Sequence, residues 1–101
     1  MFERNLISKQ RNRTALGITV DILQTMMESG SQGMFISTIS RNANLSHNAA
    51  TESCQKLVDA GLIKSVRNER NKIFIITQKG IDFFAELQKF QGLARQMNFG
   101  Y

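Results

Sequence analysis

The sequence predicts one small α+β domain, mostly α, on three observations. Apolar residues recur at spacings of three and four in four separate segments, the period of a helix with a buried face. Two β-branched and aromatic runs, 62–66 and 72–76, flank the polar stretch Arg67-Asn68-Glu69-Arg70-Asn71, and such a pair reads as a hairpin. Glycines and small hydroxyl residues stand at the segment boundaries, where helices stop and start. The 101 residues, 42% hydrophobic, suffice for one domain with a modest core.

The elements follow in order. Residues 1–10 read as a flexible basic arm carrying Arg4 and Lys9. The first helix covers about 11–29, with Ala15, Ile18, Ile22 and Met26 on one face and Leu16, Val20, Leu23 and Met27 on a second beside it. An apolar arc this wide exceeds what a surface helix needs, so one face suits the domain's own core and the other a second subunit. Gly30 is its stop. Met34-Phe35-Ile36 reads as a short strand, and Ser37 as the N-cap of a short helix from Thr38 to about Ala43, with Ile39 and Ala43 inward. Asn44 suits a left-handed turn, and Leu45 anchors that turn. Ser46 caps the next helix, which runs to about Ala60 and stops at Gly61. Ala50, Cys54, Leu57 and Val58 share its inner face; Asn48, Glu52, Gln55, Lys56 and Asp59 share the outer. After the hairpin, Thr77 caps a last helix reaching about Met97. The division expected is an arm at 1–10, a main domain at 11–80 and a C-terminal helix at 81–101.

Lys and Arg number 13 against 8 Asp and Glu, a net charge of +5. A basic excess suits a polyanionic partner, and its placement narrows the choice. Arg41 lies on the short helix, Lys56 on the outer side of the next, and Lys64, Arg67, Arg70 and Lys72 in and around the hairpin. Two helices joined by a tight turn, followed by a basic hairpin, are a physical solution to reading duplex DNA. The second helix fits the major groove, where its first turns reach base edges. The preceding helix and the hairpin tip meet phosphates, which supply affinity.

Three segments carry a family resemblance: Asn44-Leu45-Ser46-His47-Asn48, then Leu57-Val58-Asp59-Ala60-Gly61-Leu62-Ile63, then Ile76-Thr77-Gln78-Lys79-Gly80. In this order and spacing they resemble the signature of winged helix-turn-helix regulators of the MarR type. The Arg11-Asn12-Arg13 opening and the short length are similar to small archaeal winged-helix DNA-binding proteins. The resemblance covers about residues 11–95. It implies a winged helix-turn-helix with a two-stranded wing hairpin, and the last helix is expected to be a C-terminal dimerisation helix. It further implies that Ser46, His47, Asn48, Ala49 and Glu52 face DNA and that residues 67–72 form the wing. Glu52 departs from the pattern, which often has arginine there. A carboxylate near DNA is costly, but it can accept a hydrogen bond from cytosine N4 or pair with Lys56 four residues on.

The last helix has its own pattern. Phe83, Leu87, Phe90, Ala94 and Met97 recur at spacings of four, three, four and three, a seam of coiled-coil period. With Ile81 and Phe84 left for the domain's own core, this seam and the Leu16–Val20 stripe predict a homodimer. A two-fold dimer presents two recognition helices to successive major grooves.

Other classes fit less well. His47 is the lone histidine and Cys54 the lone cysteine, and no clustered carboxylate pair has a plausible base or metal partner, so an enzyme fits the sequence poorly, and no metal or cofactor is expected. Gly80, without a glycine-rich phosphate loop around it, reads as a close-packing site. No apolar run approaches the roughly 20 residues that span a bilayer, and the first residues lack the apolar stretch of a signal peptide. The expected setting is the cytoplasm, on the nucleoid. The leading reading is a homodimeric, sequence-specific transcriptional regulator; the alternatives are a sequence-tolerant architectural DNA-binding protein and a winged-helix protein-interaction module. No effector ligand is specified.

Overall fold

The computed structural model describes residues 14–67 and 69–96. The arm, the expected helix start at 11–13, Asn68 and Met97 lie outside the described residues, as does the side chain of Ala94. Helix α1 (Ala15–Ser29) leads through a 3-10 turn (Gly30–Gln32) into strand β1 (Met34–Phe35). Helices α2 (Ile36–Asn42) and α3 (His47–Asp59) follow, then strands β2 (Ile63–Arg67) and β3 (Lys72–Ile76) and helix α4 (Gln78–Gln96). The three strands form one antiparallel sheet with β3 in the middle, flanked by β1 and β2.

Most boundaries sit where local chemistry put them. The Thr14 hydroxyl accepts from the Gly17 N–H at 2.9 Å and opens α1. Ser46 does the same for α3, accepting from Ala49 N–H at 3.1 Å. Asn44 takes the left-handed turn, with φ 59°. The α2–α3 turn is then held twice: the Leu45 N–H donates to the Ser40 carbonyl at 2.9 Å, and the Ser40 hydroxyl donates to the Leu45 carbonyl at 2.6 Å. One expected boundary is different. Ser37 is not a cap; Phe35, in extended backbone, precedes α2 and offers no side-chain bond, and Ile36 is already helical. Starting the helix at Ile36 sets Ile36, Ile39 and Ala43 on one inward face at spacings of three and four, and all three join or pack on the core. That burial outweighs the cap of about 1 kcal/mol that Ser37 could have supplied.

Helix α1 is the centre of the domain. It packs against α2, α3, α4 and β3, and this enclosure buries Val20, Ile22, Leu23, Thr25 and Met26. The second apolar stripe is therefore half covered within the chain: Val20 and Leu23 are buried, Leu16 and Met27 exposed. Val20, expected at a subunit interface, is 6% exposed in the core, whereas Leu16 stays exposed at the helix start. Helix α4 is divided in a similar way. Phe84 and Leu87 are core residues, so Leu87 is corrected from the seam to the domain's own interior; Phe83, Phe90 and Leu93 are 38%, 53% and 53% exposed.

Thr77 and Gly80 close the domain. The Thr77 N–H donates to the Leu62 carbonyl at 3.0 Å. Its hydroxyl lies 2.7 Å from the Gly61 carbonyl and 3.0 Å from that of Leu62, and accepts from the Gly80 N–H at 3.1 Å. Lys79 donates to the Ala60 carbonyl at 2.9 Å, placing a cation at the C-terminal end of α3, where the helix dipole favours one. The glycine-leucine-isoleucine and threonine-x-x-glycine segments are thus two halves of one clasp, joining the start of α4 to the end of α3.

Cys54 is fully buried in the core. Burial pushes its thiol from 9.0 up to about 11, with nearby Lys72 pulling weakly the other way. At pH 7 the native thiol is expected to resist alkylation, reacting only as the chain unfolds. The unfolded chain ionises first, so the native state holds more protons between those two values. The Cys54 contribution to stability is therefore present below about pH 9 and lost on rising towards about pH 11, roughly 2 to 3 kcal/mol in all. Urea titrations of wild type and Cys54→Ala across that range check it: their stability difference should drift in favour of the variant as pH rises.

Candidate nucleic-acid interface

The helix pair and the hairpin carry nearly all of the expected DNA-facing residues. On α3, Ala50, Cys54 and Leu57 are buried, and the opposite side is polar. Asn48, Glu52, Gln55 and Asp59 recur at spacings of four, three and four along that outward stripe, and all are exposed. His47 and Lys56 flank it, also exposed. Ser46 is occupied as the cap, and Ala49 is half-buried. Arg41 is exposed in the last turn of α2.

The stripe is partly engaged with itself. Gln55 donates to the Asp59 carboxylate at 2.9 Å. Thr51, which the sequence reading passed over, donates its hydroxyl to the His47 carbonyl at 2.9 Å, the usual back-bonding of a mid-helix threonine. Glu52 and Lys56 form no ion pair with each other among the described residues. With one lysine against two carboxylates, α3 is not itself a source of positive field.

The hairpin supplies that field. Register pairs Arg67 with Lys72, Ser65 with Phe74 and Val66 with Ile73. Alternation along a strand puts Arg67 and Lys72 on the face of Phe74, which also pairs with Met34, so this face looks towards the helices. The Lys72 ammonium stands over the Phe74 ring, 5.4 Å from its centroid, and its charge is felt at Cys54 on α3. Arg70 is exposed in the connecting loop. Lys64 is separated from this group: it pairs with Ile75 and projects from the outer face, beside the row Phe35, Ile73 and Val66. Strand alternation in β2 was hidden in the sequence, because all residues after Ile63 are exposed.

Lys79 and Leu93 are the other residues missed. The signal for Leu93 was its spacing of three from Phe90 on the same exposed side. A polar concavity of about 520 Å³, lined by Asp21, Gln24, Thr25, Glu28 and Asn42, lies between α1 and the end of α2. Among the described residues no helix is long and apolar enough to cross a membrane, and no cluster of His, Cys, Asp or Glu is placed to hold a metal ion.

A helix–turn–helix followed by an antiparallel hairpin, with a central β3 and a short β1, defines a winged helix. The winged helix-turn-helix family model matches residues 12–95, and the chain belongs to that family. Its fold is similar to that of Sso10a-2, a DNA-binding protein from Sulfolobus solfataricus, with 21% identity, TM-score 0.72, and 85% of this chain and 86% of that one covered. It is also similar to the transcriptional regulator BldR from Sulfolobus solfataricus, at 23% identity, TM-score 0.68, and coverage of 93% and 72%. Lactococcus lactis ZitR, solved in complex with DNA, matches at 24% identity and TM-score 0.60, over 79% of this chain and 60% of that one. Among curated proteins none matches the sequence.

Proposed function

We propose that this chain is a homodimeric transcriptional regulator that binds duplex DNA, with α3 in the major groove and the 66–72 wing on the backbone. The observation that carries this is the pairing of Arg67 with Lys72 on the sheet face that looks towards the helices. It sets a cationic edge beside a helix whose polar stripe points away from the core. Arg41, Arg67, Arg70 and Lys72 supply phosphate contacts; His47, Asn48 and Glu52 meet base edges. The DNA-binding and regulator relatives that share the fold support the same reading. So does the exposed α4 row Phe83, Phe90 and Leu93, an apolar strip suited to a second copy. This activity belongs in the cytoplasm, on the nucleoid.

The charge balance of α3 favours one second reading, a sequence-tolerant architectural protein. Titration of a labelled duplex selected from a randomised pool, competed with unrelated duplexes, separates the two. A regulator should prefer its selected sequence by about a thousandfold or more, and an architectural protein should hardly discriminate. Absence of duplex binding at low salt would refute both.

A further inference from the structure

The outward stripe of α3 is half closed. At its C-terminal end Gln55 and Asp59 bind each other. At its N-terminal end Asn48 and Glu52, four residues apart on the same line, are exposed, and their side chains have no hydrogen bond or ion pair among the described residues. Glu52 does not take Lys56 as a partner, although the spacing permits it. An open carboxylate thus stands one turn into a helix that otherwise carries little charge.

A carboxylate is an acceptor only, and the major groove sorts bases by that property. Guanine shows N7 and O6 and thymine shows O4, all acceptors, so both repel Glu52. Adenine has a donor at N6, but its acceptor N7 lies beside it and opposes the second carboxylate oxygen. Cytosine shows its 4-amino donor with only a C5–H alongside, and accommodates a carboxylate best. We propose that Glu52 is a specificity-determining residue that selects a cytosine by accepting a hydrogen bond from its 4-amino group. This rests on the reading of the chain as a duplex-DNA binder. The negative charge serves selection by rejection: away from cytosine it meets phosphates and acceptors with no compensating donor.

The test is selection from a randomised duplex pool with wild type, Glu52→Ala and Glu52→Gln, followed by affinities for the selected duplex and for one with that C·G pair changed to T·A. Thermal melting of each variant confirms that this exposed position leaves the fold intact. Wild type should require cytosine at one position and lose about tenfold or more in affinity on the change. Glu52→Ala should lose the preference at that position alone and bind unrelated duplexes as tightly as wild type or more tightly. A uniform rise in affinity for Glu52→Ala, with the selected sequence unaltered, would show that the carboxylate only repels DNA and would overturn the inference while leaving duplex binding intact. Failure of wild type to enrich any duplex at low salt would overturn the underlying reading as well.

Discussion

Gly80→Ala is expected to lower the melting temperature by roughly 10 to 20 °C, the loss that overpacking by about 2 to 3 kcal/mol produces in a domain of this size. A methyl group there would overlap the Leu62 carbonyl oxygen and approach Ile76 Cγ1 at 2.8 Å. The carbonyl cannot easily retreat, because it accepts from both the N–H and the hydroxyl of Thr77. The same substitution at Gly92 should do the opposite. Gly92 is also helical, and a Cβ there meets nothing within 4 Å. Only the intrinsic helix preference for alanine then acts, a gain of roughly 0.5 to 1 kcal/mol. Thermal melts of both variants check the account: opposite signs are expected, and a stabilised Gly80→Ala would show that α4 does not approach Leu62 as closely as described.

The second large effect is expected from paired charges on the exposed strip of α4. Phe90→Glu with Leu93→Glu should convert the proposed dimer to a monomer in light scattering, with the circular dichroism of the monomer unchanged. Both residues are about half exposed, so each can be charged without entering the core. Cutting the chain after Ile81 is a poor alternative, since it deletes Phe84 and Leu87 from the core itself. On a duplex with two half-sites one helical turn apart, the monomer should bind at least about a hundredfold more weakly, because the second contact is no longer intramolecular. A variant that stays dimeric would place the subunit contact elsewhere.

Most of the fold was legible because its signals are local. Ser46, Asn44 and Thr77 act through bonds or dihedrals within a few residues of themselves, or across a junction marked by paired motifs. The α3 periodicity reports directly which side is buried. The misplacements share a different cause. The apolar stripes of α1 and α4 show how much surface must be covered, not what covers it. Only the packed domain reveals that β3 and α4 enclose α1, taking up Val20, and that Leu87 falls on the inner side of α4. Ile36 reads as the end of a short strand with Met34 and Phe35, but tertiary burial places it in α2. Lys64 was grouped with the wing cations because β2 shows no alternation; its outer-face position follows from the register that β3 imposes.

The central claim is that the hairpin cations hold this chain on duplex DNA. Fluorescence anisotropy of a labelled duplex over a salt series, for wild type and the Arg67→Ala, Arg70→Ala variant, tests it most directly. Wild type should bind tightly at low salt and weaken steeply as salt rises. The variant should bind more weakly throughout, with the slope of log affinity against log salt smaller by about 2, one for each phosphate contact removed. Equal slopes for the two proteins would contradict the assignment of the wing to the DNA backbone.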